Sequence, residues 1–379
     1  MFKRFPGRVT RSNGLAARGV IQWPPDGQLT RTETPLMKFG LFGAATAQRN
    51  NNPDVDSAAG FKDYIDYVIE AESLGYEGVF IVEHHFTGFG QVSATLNLLT
   101  WIGAKTSTIR LGTAVIVLPW HNPVLLAEQA ATVDLLSGGR LDFGVGKGYR
   151  HNEFASFRIP MAEAQARFEE AIDIITKSWV SNERFDFRGK FWSFDDIVVE
   201  PPTIQHPHPP FWQGAGHPDS IRRVAARGHN LLLDQFASIE ETVRRFHIYR
   251  DAMIEYGHGF EPHQAGVARA FFVANSQAEK DAAIERRMAA QRRLHDISQI
   301  PGGNNTASIM AFSDTREANE EATLFGTPDE IIRKVQRLRD QGVEYILLNG
   351  GGTSRENLRR FAREVMPHFK GEPKRQAAE

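Results

Sequence analysis

Short apolar runs alternate with longer amphipathic segments from Met37 onward. The apolar runs are bounded by glycine, proline or polar residues, which is typical of strands buried on both faces. The amphipathic segments carry apolar residues at helical spacing and end near glycine, as residues 61–74 do before Gly75. The predicted strands are residues 38–42, 79–82, 109–117, 141–146, 210–215, 230–233, 267–273 and 345–349. The predicted helices are residues 61–74, 94–105, 124–136, 161–180, 217–227, 239–256 and 327–342.

This alternation predicts the fold class, α/β. Short connections between strands and helices imply parallel strands with right-handed crossovers. About eight strand–helix units favour a closed (β/α)8 barrel over a doubly wound open sheet. Two segments break the rhythm. Aromatic residues on both sides of residues 188–190 predict an inserted hairpin, and residues 275–324 are too long for an ordinary connection, which suggests a mobile lid or excursion.

The two ends of the chain differ from the barrel segment. Residues 1–36 are rich in arginine and lack both periodicity and the apolar core of a signal peptide. We expect an unstructured extension there or a start at Met37, with an organelle transit peptide as the alternative. The predicted domain organisation is an extension over 1–36, one barrel over 37–370 and a disordered tail over 371–379.

Composition excludes several classes of protein. The net charge of −2 argues against a nucleic-acid or membrane-surface binder, and no apolar run is long enough to span a bilayer. The chain has no cysteine, which excludes disulfides, thiolate metal sites, iron–sulfur clusters and a cysteine nucleophile. We therefore expect a cytoplasmic protein that acts on a small molecule.

Candidate catalytic residues follow the second predicted strand. Glu83, His84 and His85 stand where the apolar run ends, and the carboxyl ends of barrel strands carry catalytic groups. Because side chains alternate along a strand, one imidazole should face the core and the other the cleft. The alternative is that both are structural histidines whose hydrogen bonds are satisfied.

A second candidate region is rich in glycine and cations. Lys147 and Arg150 follow the fourth strand, and the glycines there lack the remaining features of a dinucleotide fingerprint. Gly216 and His217 lead into the next helix, whose first turn carries Ser220. Helix N-termini bind anions, so the two strand ends together predict a phosphate-bearing planar ligand; the alternative is that Ser220 only caps its helix.

No metal site is expected. His84 and His85 are adjacent and cannot face one ion from a regular strand. His206 and His208 lie in a proline-rich segment without a carboxylate at ligand spacing.

Four ordered motifs resemble the bacterial luciferase-like flavin monooxygenases. The resemblance covers the chain from Met37 to about Asn349. The motifs are residues 80–90, FIVEHHFTGFG; residues 111–119, LGTAVIVLP; residues 127–149, which include SGGRLDFGVGKGY; and residues 326–330, GTPDE.

The resemblance implies a (β/α)8 barrel that binds reduced FMN supplied by a separate NAD(P)H:flavin reductase. The reduced FMN would react with O2 to form a C4a-hydroperoxide, which would oxygenate a small organic substrate. His84 matches the catalytic histidine, and His85 and Glu83 match its supporting residues. The implied protein is a homodimer that needs no nucleic acid or membrane. The positions that match cofactor-binding residues are Ala114 and Val115, joined by a cis peptide, Lys147, Tyr149, Gly216, His217 and Ser220.

Three features bear on which member of the family this chain resembles. Gly146 replaces the reactive cysteine of the luciferase alpha subunit, so thiol sensitivity should be absent. Lys147 replaces an arginine and cannot make its forked phosphate contact. His84 matches the catalytic subunit, since the non-catalytic beta subunit has asparagine there. The alternatives are a dehydrogenase of the same superfamily that uses F420, and a non-catalytic flavin-binding subunit.

The substrate is not predicted beyond its general character. Trp120, Trp212, Phe89 and Phe154 suggest an apolar or aromatic-lined cavity, although core packing explains such residues equally well. Many reactions of the family emit no light, and we expect none here.

Overall fold

The computed structural model describes residues 36–47, 56, 58–88, 90–303, 305 and 307–370. The predicted extension, apart from Leu36, lies outside the described residues. The predicted tail over 371–379 and the candidate cavity residue Phe89 also lie outside them.

Eight parallel strands form a closed barrel, which confirms the predicted fold class. Each strand pairs with the next along the chain, and the last pairs with the first. The strands are β1 (Lys38–Gly43), β2 (Gly78–Ile81), β3 (Arg110–Thr113), β4 (Leu141–Gly146), β5 (Phe211–Gly214), β6 (Asn230–Leu233), β7 (Ala265–Val273) and β8 (Tyr345–Asn349).

Helices surround the barrel, and their apolar faces cover its outer surface. Among the described residues, no helix combines the length and the hydrophobicity that crossing a bilayer requires. The helices are α1 (Ala59–Ser73), α2 (Thr95–Lys105), α3 (Pro123–Leu136), α4 (His151–Ser156), α5 (Ala164–Val180), α6 (Pro218–Ala226), α7 (Ile239–Glu255), α8 (Gln277–Ile297), α9 (Arg316–Ala322), α10 (Pro328–Asp340) and α11 (Arg355–Glu364).

The third predicted strand is shorter than its apolar run. β3 ends at Thr113, a cis peptide joins Ala114 to Val115, and a separate two-residue strand, Ile116–Val117, pairs with the end of β4. The prediction of one continuous strand over 109–117 was therefore wrong, because hydrophobicity alone does not reveal where the backbone leaves the sheet.

The barrel interior is filled by large side chains that need glycine beside them. Phe80 packs edge-on against Trp212, with ring centroids 5.2 Å apart. A Cβ atom at Gly112 would lie 2.4 Å from the Phe80 ring. Only glycine therefore fits at this position of β3 while the ring stays where it is. The interior cluster comprises Phe80, Trp212, Leu232, Tyr345 and Leu347.

The inserted hairpin is confirmed. Strands Phe185–Arg188 and Ser193–Ile197 pair antiparallel, apart from the barrel sheet. The Glu170 carboxylate on α5 accepts hydrogen bonds from the backbone N–H groups of residues 190–192 at the turn. Lys177 of the same helix also donates to the Asp186 carbonyl, so α5 holds the insertion at its turn and along one strand.

The segment between β7 and α10, residues 274–327, forms an excursion over the carboxyl end of the barrel. It contains α8, a 3-10 turn at Ser308–Met310, α9 and the short strand Leu324–Gly326, which pairs with β7. Asn305 donates a hydrogen bond of 2.9 Å to the Tyr149 carbonyl after β4. The excursion therefore contacts the rim where the candidate residues lie; its predicted mobility stays a prediction.

Close contact between β3 and β4 forms the base of the candidate site at the carboxyl end of the barrel. The Gly144 N–H donates to Thr113 Oγ1 at 2.8 Å, and the same hydroxyl donates to the Gly144 carbonyl at 2.6 Å. A Cβ atom at Gly144 would lie 1.7 Å from the Thr113 carbonyl oxygen, which is backbone and cannot rotate away.

We expect Gly144→Ala to lower the free energy of unfolding by at least about 2 kcal/mol, because the two strands must separate to admit the methyl group. Urea denaturation followed by circular dichroism measures this loss. Gly259→Ala is the matched control, since a Cβ atom at Gly259 meets no neighbour within 4 Å. Equal stability of the two variants would contradict the proposed constraint.

Candidate active site

Glu83 is the buried centre of the rim. Its carboxylate is 2% exposed and lies just beyond β2. Oε2 accepts a hydrogen bond of 2.7 Å from the backbone N–H of Val117. Oε1 lies 3.0 Å from His85 Nε2 and 2.7 Å from His121 Nε2. One carboxylate therefore joins the end of β2, the segment after β3 and two imidazoles.

These partners explain how a carboxylate is accommodated in the interior. Burial raises the pKa of Glu83, but hydrogen bonds from His121, His85 and the Val117 N–H lower it more, to about 2. Glu83 is therefore ionised at neutral pH, and its negative charge fixes the orientation of both imidazoles.

His84 is held by a different carboxylate. Its Nδ1 lies 3.0 Å from Oε1 of Glu153, which is 1% exposed on α4. The same oxygen accepts a hydrogen bond of 2.9 Å from the His85 backbone N–H. Because a carboxylate oxygen accepts, Nδ1 carries the proton and Nε2 of the neutral ring has a free electron pair.

The surroundings of His84 favour this neutral form. Burial lowers its pKa, the hydrogen bond to Glu153 raises it, and the nearby Arg150 guanidinium lowers it; the net pKa is below the ordinary value. A neutral ring whose Nδ1 is fixed by a carboxylate can accept a proton at Nε2 near pH 7.

The predicted alternation of the two imidazoles was wrong. β2 ends at Ile81, and the backbone from Val82 to His85 is not part of a strand. The side chains of His84 and His85 are 14% and 15% exposed, so neither is fully in the core. They are distinguished instead by their partners, Glu153 and Glu83.

Aromatic side chains surround His85 on one side of the rim. The Phe157 ring lies 4.9 Å from the His85 ring and stacks on Trp120 at 5.2 Å. Phe86 lies 5.0 Å from Phe157 and is 58% exposed, although it is large and apolar. Phe154 contacts Trp120 at 5.1 Å. We call Phe86, Trp120, Phe154 and Phe157 the aromatic shelf.

The cis peptide between Ala114 and Val115 is present, as the resemblance implied. Both residues are half-buried and pack on the interior cluster that includes Phe80 and Trp212. A Cβ atom at Gly146 would lie 2.6 Å from Val115 Cγ2, so the Val115 side chain fills the space beside that glycine. The result is a small apolar surface at the mouth of the barrel.

The predicted phosphate-binding residues lie at the ends of β4 and β5, which are neighbours. Lys147 is exposed after β4, and Gly216 is buried after β5. His217 is exposed and caps α6, with its Nδ1 accepting from the Asp219 N–H at 3.3 Å. His217, and not Ser220, is therefore the N-cap of α6, and the phosphate-binding role of Ser220 stays a prediction.

The excursion covers part of this region. A Cβ atom at Gly216 would lie 2.6 Å from Ser308 Oγ and 3.2 Å from the Arg245 guanidinium. Ser220 Oγ accepts a hydrogen bond of 2.9 Å from Arg223. The N-terminus of α6 thus lies among a hydroxyl group, a guanidinium and backbone N–H groups.

Tyr149 joins the two parts of the site. Its ring lies edge-on to His84, with centroids 6.4 Å apart. Burial raises the pKa of the Tyr149 hydroxyl, while nearby Arg150 lowers it; the net shift is upward. Tyr149 is therefore a neutral hydroxyl beside the imidazole at pH 7.

Sequence reasoning missed Glu153 and His121. Glu153 is 69 residues from His84 along the chain and lies on α4, which is too short to show helical periodicity. His121 follows Pro119 in a turn. The available signal for His121 was that a third histidine follows the strand next to the one that precedes His84 and His85. Within the part of the chain that the structure describes, no three metal-ligating side chains are placed to hold an ion.

Comparisons with known proteins find relatives that are named as flavin-dependent monooxygenases. The trigonelline monooxygenase oxygenase component of Acinetobacter baylyi is flavin-dependent and 26% identical over 81% of this chain and 91% of its own. The FMNH2-dependent dimethylsulfone monooxygenase of Pseudomonas putida is 27% identical, over 70% and 75% of the two chains. The F420-dependent glucose-6-phosphate dehydrogenase of Amycolatopsis mediterranei is 23% identical, over 82% and 95%. Its name shows that relatives differ in cofactor.

A solved structure shares the fold. The monooxygenase RslO1 of Streptomyces bottropensis superposes with a TM-score of 0.75 and 26% sequence identity, over 88% of this chain and all of that one. The family model for luciferase-like monooxygenases matches residues 37–345. The chain therefore belongs to the luciferase-like monooxygenase family.

Proposed function

We propose that the protein is the oxygenase of a two-component system that uses reduced FMN and O2 to oxygenate a small organic substrate. The observation that carries this proposal is the Glu153–His84 pair, which lies beside Tyr149 at the barrel rim. The half-buried Ala114–Val115 surface follows β3 at the same rim. One atom of O2 would enter the substrate and the other would leave as water.

The residues present fit a flavin. The Ala114–Val115 surface is apolar and free of bulky side chains, as a planar ring system requires. The N-terminus of α6, with Gly216, His217 and Ser220, suits the phosphate, and exposed Lys147 adds a positive charge. Lys147 contributes as a point charge, so backbone N–H groups carry more of the phosphate binding.

Reduced FMN, supplied by a separate NAD(P)H:flavin reductase, provides the electrons that O2 activation requires. His84 accepts or returns a proton at Nε2, while Glu153 holds Nδ1 and fixes the ring orientation. Glu83 holds His85 and His121 and so keeps the wall of the site in place. Asn305 and Ser308 of the excursion restrict water at the rim.

The proposed assembly is a homodimer. Three leucines on α3 point away from the barrel core and are large exposed apolar groups. Leu136 is 64% exposed, Leu125 53% and Leu135 46%. A helix that is apolar on both faces is usually covered on both.

The cofactor is tested by anaerobic titration with FMNH2 and with reduced F420, followed by intrinsic tryptophan fluorescence. We expect FMNH2 to quench the fluorescence and O2 to be consumed when aldehydes, alkanes, amines or heteroaromatic compounds are screened with a reductase. Binding of F420 alone, without O2 uptake, would show a dehydrogenase. Flavin binding without turnover of any substrate would indicate a non-catalytic subunit.

We expect His84→Ala to lower substrate oxygenation by about 100-fold or more while the fold is retained, because general acid–base catalysis is lost. Oxygenation with FMNH2 supplied is measured by O2 uptake and product formation. His368→Ala, at an exposed position outside the site, is the control. A His84→Ala variant with the wild-type rate would sink the proposed role.

Glu153→Gln should move the titration of His84 to lower pH, because it removes a negative charge that raises the His84 pKa. Histidine NMR of the labelled proteins measures the His84 pKa in the wild type and in Glu153→Gln. The His84 pKa of the wild type should itself lie below 6.5. Glu183→Gln changes an exposed carboxylate and should leave His84 unaffected. An upward shift in Glu153→Gln would rule out the pairing.

Glu83 should make stability depend on pH. Its folded pKa of about 2 lies below the ordinary 4.5, so its contribution is complete above pH 4.5 and is lost as pH falls toward 2. At pH 7 we expect Glu83→Gln to lower the free energy of unfolding by on the order of 3 kcal/mol. Urea titrations between pH 7 and 3 should show this difference shrinking. A stability difference between wild type and Glu83→Gln that does not change with pH would contradict the lowered pKa of Glu83.

A further inference from the structure

Arg150 is a buried cation that the proposed reaction does not use. It follows Tyr149, precedes α4 and is 3% exposed. Its Nε and Nη1 atoms are buried and have no hydrogen-bond partner within the described residues. Lys147, the other cation that the sequence placed on this rim, is exposed. The two cations are therefore in different environments, one buried and one exposed.

The Arg150 guanidinium interacts with the Tyr149 side chain, by a hydrogen bond and over the face of its ring. The carboxylate nearest along the chain, Glu153, uses one oxygen for the His84 ring and the His85 N–H. Leaving two buried N–H donors of a cation without an acceptor is costly unless another group accepts from them. Such a cation at a candidate active site indicates an anionic ligand.

The neighbours of Arg150 describe the rest of that ligand. The guanidinium lies 5.6 Å from the centroid of the Tyr149 ring and close enough to His84 to lower its pKa. Phe154, which belongs to the aromatic shelf, follows Glu153 on α4, and Phe86 of the same shelf is exposed. The Trp120 indole N–H of the shelf is a second buried donor without a partner in the described residues.

We propose that Arg150 binds the carboxylate of the substrate, and that the substrate is an aromatic or heteroaromatic carboxylic acid whose ring lies against the aromatic shelf. A guanidinium offers two parallel N–H donors that match a carboxylate. Anchored there, the ring lies within reach of the His84 and Tyr149 side chains. This assignment rests on the proposed function, because it names the substrate class of the same site.

The test compares benzoate with benzamide as probes, since they differ only in the charged group. Binding to the full-length protein is measured by calorimetry, both without flavin and with FMN present. We expect benzoate to bind about 10- to 100-fold more tightly than benzamide. Equal affinity of the two probes for the wild-type protein would overturn the proposal without any variant.

Variants then locate the effect. Arg150→Gln should lose the preference for benzoate and bind benzamide as before, and Arg150→Lys should keep only part of it because the forked contact is lost. Arg158→Gln removes a charge from an exposed arginine nearby and should keep the full preference. Circular dichroism and thermal melting check that each variant is folded. A preference that survives in Arg150→Gln would overturn the assignment.

A second experiment tests whether the anion that Arg150 binds is the carboxylate of the substrate or the phosphate of the flavin. FMN and riboflavin differ in the phosphate, so their affinities are compared in wild type and Arg150→Gln. Weaker FMN binding with unchanged riboflavin binding would assign Arg150 to the flavin phosphate and contradict the proposal. Failure of the proposed function is a separate result, since it would appear as absent FMNH2 binding and absent O2 uptake while the benzoate preference persisted.

Discussion

The arrangement of the rim depends on the buried Glu83 carboxylate. A charge in the interior is tolerated only when donors surround it, and here the donors are His85, His121 and the Val117 N–H. The hydrogen bonds to the Glu83 carboxylate fix the path of the backbone after β2 and after the cis peptide. The backbone of His85 is fixed again by Glu153, which also holds the His84 ring. Two carboxylates thus position both imidazoles through contacts made by separate parts of the chain.

The parts predicted well from the sequence are those with a continuous local signal. β4, β6 and β8 have the bounds that their apolar runs predicted, because a strand buried on both faces needs nothing else. The predicted start of α10 also agrees with the structure, in which Thr327 and Glu330 form a capping box. The barrel followed from the count and order of these elements, and the hairpin from its paired aromatics.

The parts that failed depend on contacts distant in sequence. The direction of the His84 and His85 rings was predicted from strand alternation, whereas their carboxylate partners determine it. No helix was predicted over α4, because six residues are too few to show a helical period, and the partner of His84 was missed with it. The break after β3 is set by its contact with β4, which hydrophobicity does not record. Motif resemblance predicted the cis peptide because it carries three-dimensional information that composition lacks.

The glycines of β4 have a consequence for how this barrel can diverge. Gly144 lies against the Thr113 carbonyl and Gly146 against Val115, so neither position can gain a side chain without displacing its neighbour. The backbone oxygen at Gly144 cannot give way, whereas at Gly146 only the Val115 side chain would have to move. Under the proposed function, new substrate preferences would arise by replacing residues of the aromatic shelf, Arg150 or residues of the excursion. The surface proposed for the flavin would then stay the same while the preferred substrate changed.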